Sequence, residues 1–312
     1  MIWKSLIRPA MIFIPFALGA AFPRACVLND PPYNSVQYVL MLMLFISCLR
    51  IELRELKPRR EHWILLAANL VMGIVPYFLL RVFLPDRPEL AQAAFFIGIT
   101  PTATAAPVVM AFLNGRVGFV LTGFTVSFVC ISASLLFLLP MVTGSFTADF
   151  IGRVTMTLVQ VIVIPLGAAL LIRFLIPSAK NLPGRLKTFT FLLWSFNLFV
   201  LAAVAREYFI EHPETPLWIA GAIAGIALAL CACNFQVGKY LGPKKLRREC
   251  SQLLGQKNTS FTMYLALHYA GALIALGPIS YILWHNVWNA WQMYQYDRHG
   301  MKRRNRTGED EN

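Results

Sequence analysis

A short polar stretch, Gly255–Ser260, stands inside an otherwise apolar segment of the sequence. Two leucines precede it and a mostly apolar run follows it, so the whole segment predicts a membrane span. Lys257 brings a charge into this span, and a charge near the bilayer centre costs about 2.5–3.5 kcal/mol on a lenient insertion scale. Polar, irregular backbone at that depth survives only where protein covers it or water reaches it. We therefore predict that this stretch forms half of a binding site.

The composition of the chain is that of a membrane protein. Of its 312 residues, 57% are hydrophobic and only 14% are charged, whereas soluble domains carry about 25% charged residues. The cysteines are scattered, and Cys231 and Cys233 have no matching second pair, so no metal site is predicted. The sequence shows no nucleophile–base arrangement, phosphate loop or acid–base carboxylate pair. We predict neither an enzyme nor a cofactor.

Apolar runs of roughly 20 residues predict about ten membrane spans, and hence an all-α polytopic fold. The first run is followed by further spans, so we interpret it as a span and not as a cleaved signal. The approximate limits of the ten spans are 9–23, 35–50, 62–84, 89–113, 117–140, 149–172, 188–205, 216–238, 248–270 and 272–292.

The basic residues predict the orientation of these spans. With the N-terminus inside, 22 of the 28 Lys and Arg residues fall on the cytoplasmic side. This bias predicts that both termini are cytoplasmic. We expect a multi-pass protein of the plasma (inner) membrane, embedded in the lipid bilayer. The net charge of +13 is then a topology signal, and no nucleic-acid partner is predicted. The charged cytoplasmic tail, 296–312, is expected to be disordered.

Five spans in each half give the two halves opposite orientations. The first repeat would cover residues 1–143 and the second 144–295, which is the inverted-repeat plan of secondary transporters. Span four is interrupted as span nine is, because Gly98–Pro107 contains two prolines and three threonines. Either interruption alone fits a kinked structural helix, but the matching pair favours a site.

The candidate site residues come from the two interruptions and from span three. Asn69 is expected either to line the site beside span nine or to form an ordinary hydrogen bond between helices. Helix N-termini at the interruptions suit a carboxylate or sulfate, and Lys257 adds a full charge, so the predicted partner is a small organic anion. No catalytic or metal-binding residue is assigned. The complete set is Asn69, Thr100, Pro101, Thr102, Thr104, Pro107, Gln256, Lys257, Asn258, Thr259 and Ser260.

From Arg8 to the tenth span, the chain resembles the bile acid:sodium symporter family, as a bacterial-type member. The most specific features are residues 112–116, where the fourth span ends, and Gly255–Asn258 in the ninth. The resemblance implies a ten-helix inverted repeat in which spans four and nine cross. It also implies a core domain of spans 3–5 and 8–10 that moves against a panel domain of spans 1, 2, 6 and 7. Members of this family move organic anions by alternating access.

The sodium ligands implied by the resemblance are mostly absent. Where the family has Glu-x-Gly-x-Gln-Asn, the chain has Leu253 in place of the glutamate and Lys257 in place of the glutamine. The Ser-Asn pair of span four falls on Ala106 and Pro107. The span-five hydroxyls fall near Val120 and Phe124, with Thr122 and Thr125 close enough for a shifted register.

The positions of the acidic residues also indicate that a sodium site is missing, and this argument does not depend on the resemblance. All fifteen fall in loops, tails or span ends, and Glu249 is expected to be a solvated charge at the cytoplasmic edge. We therefore predict sodium-independent transport in which Lys257 replaces the ion and reaches carbonyls near Pro101. Alternatively, Lys257 extends to the cytoplasm, over roughly 13 Å. A lysine that releases and regains a proton in each cycle would make proton coupling possible.

Two other classes of function remain open. A membrane-bound binding or sensing protein could keep this fold after the loss of transport, and the missing ion ligands motivate that hypothesis. An intramembrane enzyme is the third class, but the sequence offers no catalytic constellation for it.

Overall fold

A computed structural model describes residues 14–23, 33–52 and 56–307. The structure is all-helical, with 83% helix and no strands among the described residues, which confirms the predicted all-α class. Within the same residues, five helical segments are long and apolar enough to cross a membrane, as expected of a multi-pass membrane protein. They are Arg60–Phe83, Val117–Thr143, Ala148–Leu175, Lys187–Glu211 and Leu217–Leu241.

The helices of the first half are α1 (residues 14–21), α2 (Tyr33–Cys48), α3 (Arg60–Phe83), α4 (Pro88–Gly98), α5 (Ala106–Phe112) and α6 (Val117–Thr143). The helices of the second half are α7 (Ala148–Leu158), α8 (Ile164–Leu175), α9 (Leu182–Arg185), α10 (Lys187–Glu211), α11 (Leu217–Leu241), α12 (Arg247–Gly255), α13 (Thr259–Tyr269) and α14 (Ala272–Thr307). A π-helical turn, Val159–Val163, joins α7 to α8.

A proline follows this π-helical turn. Pro165 has no N–H and its ring crowds the carbonyl four residues earlier, which disfavours an ordinary helical turn there. The chain accommodates one extra residue, and the N–H of Ile164 donates to the carbonyl of Val159, five residues before it. The α7–α8 segment therefore continues through the proline as one long helical element.

The segments predicted as spans four and nine are each split into two shorter helices. Helix α4 ends at Gly98 and α5 begins at Ala106, while α12 ends at Gly255 and α13 begins at Thr259. Around these breaks, α4 packs against α3, α11 and α14, and α12 packs against α11, α6 and α3. The breaks therefore lie among other helices, which is where irregular backbone is tolerated inside a membrane.

Two glycines bring α3 and α4 into direct backbone contact. A Cβ added to Gly98 would lie 1.9 Å from the carbonyl oxygen of Met72, and one added to Gly73 would lie 2.9 Å from the Cα of Ile99. Asn69 is one helical turn before Gly73, so this close approach carries its side chain to the end of α4. Glycine is required here because any side chain would separate the helices.

Replacing Gly98 with Ala should therefore destabilise the protein by about 1–3 kcal/mol, the range typical of overpacking, because the clash is with rigid backbone. The measurement is the thermal unfolding midpoint of the purified protein in detergent. Gly225→Ala is the matched control, since a Cβ at this helical glycine meets no atom within 4 Å. Equal midpoints for the two variants would contradict the close contact between α3 and α4.

The predicted disorder of the tail is wrong as far as Thr307. Helix α14 continues well beyond the expected limit of 292 and ends at Thr307, while residues 308–312 lie outside the described part of the chain. Two contacts hold the start of the tail at residue 296. Asn114 Nδ2 donates to the hydroxyl of Tyr296 at 2.6 Å, and the guanidinium of Arg248 lies 5.4 Å from the Tyr296 ring.

Candidate functional site

The two helix breaks cross and pair through their backbones. The N–H of Ala103 donates to the carbonyl of Gln256 at 2.7 Å, and the N–H of Asn258 donates to the carbonyl of Pro101 at 2.8 Å. Thr102 and Lys257 are thus opposite each other in an isolated antiparallel bridge. The pairing satisfies backbone groups that the broken helices leave without intrahelical partners. It also fixes the two predicted segments against each other.

Lys257 is buried at this crossing, with 2% of its surface exposed. Its Nζ donates to Asn69 Oδ1 and, at 3.1 Å, to the carbonyl of Gly98. Gly98 is the last residue of α4, so the ammonium lies at the negative end of that helix dipole. The carbonyl reached is three residues before Pro101, close to the expected position. The alternative in which Lys257 extends to the cytoplasm does not occur in this structure.

The partners of Lys257 resemble the ligands of a bound cation in their chemistry. Both are neutral oxygens, one from an amide side chain and one from a backbone carbonyl. None of the ion pairs within the described ranges includes Lys257. A full charge is therefore held by oxygen dipoles and a helix end, and oxygen atoms of these kinds are the ligands that hard metal cations take in proteins.

Asn69 connects three of the helical segments at the crossing. Its Oδ1 accepts from Lys257, and its Nδ2 donates to the carbonyl of Thr100 at 3.2 Å. Only 3% of its surface is exposed. Asn69 therefore lies beside the second break and also makes hydrogen bonds between helical segments, so the structure does not separate the two expected roles.

Threonine hydroxyls complete the crossing from the α4 side. Thr100 Oγ1 donates to the carbonyl of Phe96 at 2.6 Å and lies 2.7 Å from Thr262 Oγ1. Thr102 Oγ1 donates to the carbonyl of Leu253 at 2.6 Å. These hydroxyls tie the first broken segment to both halves of the second, so the crossing is a single hydrogen-bonded unit.

The predicted site residues divide into a buried group and a partly exposed pair. Gln256, Thr259, Ser260 and Pro107 are buried, together with the residues of the crossing already described. Thr104 and Asn258 are partly exposed. Asn258 is the N-cap of α13, and its side chain does not cap the helix. This pair is therefore the part of the predicted site that a ligand could reach in this conformation.

A small cavity lies beside the side chain of Leu253. It has a volume of about 10 Å³, close to the space that one water needs. His62, Thr102, Ser127 and the side chain of Leu253 are among its lining residues. Leu253 packs so closely that its methyl groups would lie 2.5–2.6 Å from a Cβ at Gly123. Leu253 thus presents an apolar side chain to this cavity.

A hydroxyl of span five that was not predicted from the sequence lies at the crossing. Thr122 and Thr125 donate their hydroxyls to carbonyls of their own helix, at 3.0 Å in both cases. Ser127 is the span-five residue at the crossing, since its Oγ accepts the N–H of Thr102 at 3.1 Å. Val120 and Phe124 are buried in hydrophobic clusters.

The expectation that Glu249 is a solvated charge is wrong. It is 6% exposed, and its Oε1 accepts the backbone N–H of Arg116 at 3.0 Å. Arg116 is the N-cap of α6, so the carboxylate interacts with the positive end of that helix. Sequence position alone could not show this contact, which depends on how α12 packs beside α6.

A polar cluster behind the second break was not predicted from the sequence. The Tyr281 hydroxyl donates to the carbonyl of Gly255 at 2.8 Å and accepts from Asn234 Nδ2 at 3.2 Å. The cluster extends along the same face of α14 to Asn289. Its Oδ1 accepts a hydrogen bond from Gln252 at 3.0 Å, and its Nδ2 donates one to Gln256 Oε1. Polar residues at four-residue spacing in span ten were the available signal.

Tyr281→Phe should reveal how strongly this cluster supports the break. The phenylalanine ring still fits the space of the tyrosine ring. However, the carbonyl of Gly255 and the amide of Asn234 each lose a hydrogen-bond partner, and a buried unsatisfied group lowers the stability of the folded protein by about 1–3 kcal/mol. We expect a lower thermal unfolding midpoint in detergent. Tyr294→Phe is the control because Tyr294 is 56% exposed. An unchanged midpoint for Tyr281→Phe would contradict the assigned hydrogen bonds.

Comparison with known proteins adds no family assignment. No family model matches the chain, and no curated protein matches it. The resemblance described from the sequence therefore remains a prediction, and the function has to be argued from the geometry.

Proposed function

We propose that the chain is a secondary transporter that moves a small organic anion by alternating access and does not use sodium. The crossing of two broken helices around a buried lysine is the observation that carries this proposal. We further propose that about ten spans form two inverted repeats, residues 1–143 and 144–295, as in the bile acid:sodium symporter family. The core domain would contain spans 3–5 and 8–10.

The matched positions of the two breaks support a transporter. In each half the break follows a glycine, Gly98 or Gly255, and each helix resumes with Ala106 or Thr259. A purely structural kink needs no partner, whereas these breaks pair with each other through two backbone hydrogen bonds. Transporters place binding sites at such interruptions because free helix ends and unwound backbone can bind charged groups there.

The contacts of Lys257 support sodium independence. Its ammonium already supplies the positive charge at the end of α4, where an alkali-metal ion would otherwise neutralise carbonyl oxygens. The resemblance places a sodium-binding glutamate at position 253. The chain has Leu253 there, a closely packed apolar side chain instead of a carboxylate. A protein with this arrangement can keep the crossing assembled without a bound ion. Proton exchange at Lys257 is compatible with the same geometry.

The partly exposed part of the site supports an anion as substrate. Thr104 and Asn258 offer a hydroxyl and an amide, and Asn258 precedes the first turn of α13. The first N–H groups of a helix have no intrahelical partners and carry partial positive charge. A carboxylate or sulfate is the group that these donors bind best.

Transport can be tested in two steps, of which the first identifies a ligand. A thermal-shift screen of the purified protein against organic carboxylates and sulfates should reveal a stabilising anion. The same anion, radiolabelled, should then exchange across liposomes that contain the protein, driven only by unlabelled anion on the other side. Saturable binding with no counterflow would overturn the transport proposal and favour a sensor, which the altered ion ligands make the second candidate.

Alternating access predicts a difference between two engineered cysteines. In a cysteine-free background, Thr104→Cys should react with an aqueous thiol reagent because Thr104 is partly exposed, whereas Ser260→Cys should react slowly because Ser260 is 5% exposed. Adding the stabilising anion should change at least one of the two labelling rates several-fold. Constant rates for both positions with and without the anion would contradict movement at the crossing.

A further inference from the structure

A cavity of about 410 Å³ lies at the end of the helix bundle where α3 joins α4, α10 joins α11, and α13 joins α14. Its volume is within the range of small-molecule sites and far above that of a single water. Charged side chains of both signs line it, with Arg87 and Glu89 from the start of α4 and Glu214 from the α10–α11 loop. None of the contacts at the helix crossing includes these residues.

Arg87 is positioned to bind a carboxylate. Its guanidinium lies 5.2 Å from the centre of the Trp218 ring, so the aromatic face supports the planar group. The only ion pair it forms within the described ranges is to Glu89 at 3.8 Å, which is too long for a good hydrogen bond. A guanidinium fork with free donors matches the two oxygens of a carboxylate.

Glu214 supplies the opposite charge. Hydrogen bonds from its own backbone and from His212, at 3.0 Å, hold the pKa of Glu214 below its ordinary value, so the side chain is ionised near neutral pH. The hydroxyls of Tyr208 and Thr215, which also line the cavity, lie 3.3 Å apart. Opposite charges and neutral hydroxyls therefore surround the same space.

We propose that this cavity binds a small zwitterion that carries both a carboxylate and an ammonium group, such as an amino acid. Arg87 would bind the carboxylate, and the carboxylates of Glu214 and Glu89 would bind the ammonium. A simple anion would bring no positive charge to Glu214 and Glu89, and a simple cation would bring no negative charge to Arg87. Either one therefore satisfies the site less completely than a molecule with both charges.

The position of the cavity gives its occupant a structural role. Residues 270–274, from the α13–α14 junction and the first turn of α14, form one wall, and the α10–α11 loop forms another. A bound zwitterion would connect these walls to the start of α4. We therefore expect it to stabilise the folded protein as well as to bind. This inference is independent of the transport proposal, because no residue of the crossing takes part.

The test measures binding to the purified full-length protein by calorimetry. The probes are ω-amino acids of two to six carbons, each compared with the monocarboxylate and the monoamine of equal length. We expect the preferred ω-amino acid to bind at least tenfold more tightly than either comparison compound. Arg87→Gln should remove its advantage over the monoamine, and Glu214→Gln should reduce its advantage over the monocarboxylate.

Arg206→Gln and Glu211→Gln serve as matched controls, because both side chains are exposed and neither lines the cavity. They should leave the affinity unchanged. Equal binding of an ω-amino acid and its monocarboxylate would overturn the proposal. Absence of saturable binding by every ω-amino acid, or full affinity in Arg87→Gln, would also overturn it. None of these outcomes depends on anion counterflow, which tests the proposed transport separately.

Discussion

Replacing Lys257 with Met is expected to abolish transport, with a loss of at least about 100-fold in anion counterflow. The methionine fills a similar volume but donates nothing, so Asn69 Oδ1 and the carbonyl of Gly98 lose their shared cation. Misplacement of a site by about 1 Å can reduce a rate by a hundredfold, and these two contacts position the end of α4 at the crossing. The loss should appear in the transport rate even where the purified protein remains folded.

Stability helps to separate the charge of Lys257 from its packing. Each unsatisfied buried acceptor costs about 1–3 kcal/mol, but removing a buried charge without an acidic partner offsets part of this cost. We therefore expect only a modest change in the unfolding midpoint of Lys257→Met. Lys257→Gln should retain some transport because its amide still donates hydrogen bonds. Lys244→Met, at an exposed lysine, is the control. Undiminished counterflow in Lys257→Met would contradict the role assigned to the lysine.

A designed pair of changes is expected to create sodium dependence. In Leu253→Glu combined with Lys257→Gln, a carboxylate would replace the apolar side chain near Thr102 and Ser127, and the ammonium would be absent. Without an ion, the buried carboxylate should destabilise the protein by several kcal/mol. Sodium at a hundred times its dissociation constant would recover about 2.7 kcal/mol by mass action.

The double variant is measured by thermal unfolding in sodium chloride and in potassium chloride of equal concentration. Its midpoint should rise with sodium and saturate. Leu253→Gln combined with Lys257→Gln is the matched control, because it keeps the shape but lacks the charge, and it should show no selective response to sodium. Lys257→Gln alone should not respond either, since Leu253 remains. A folded double variant that ignores sodium would contradict the prediction that a carboxylate at position 253 completes a sodium site.

The sequence predicts the positions of the helices well because a membrane span requires a long apolar run. It also locates both breaks, since Pro101 and Pro107 remove backbone donors and Gly255 precedes a polar cluster. These are local properties of the chain. The longer α14 departs from the expectation because contacts to Tyr296, which come from other parts of the fold, hold the start of the tail.

The partners of the site residues depend on packing, and there the sequence is less informative. Asn69 lies beside the end of α4 because α3 and α4 touch through Gly73 and Gly98. Neither this contact nor the distance from Lys257 to Gly98 follows from spacing in the sequence. Ser127 could not be distinguished from Thr122 or Thr125, because helix rotation decides which hydroxyl faces the crossing. The position of Glu249 in the sequence is typical of a surface residue, but α6 covers it.

Sodium independence follows directly if Lys257 holds the crossing in place of a bound cation. It is measured as the unfolding midpoint of the unmodified protein while sodium chloride replaces potassium chloride at constant ionic strength. We predict the same midpoint at every ratio of the two salts, because the ammonium already occupies the end of α4. A saturable rise that requires sodium and is absent in potassium would contradict this role of Lys257.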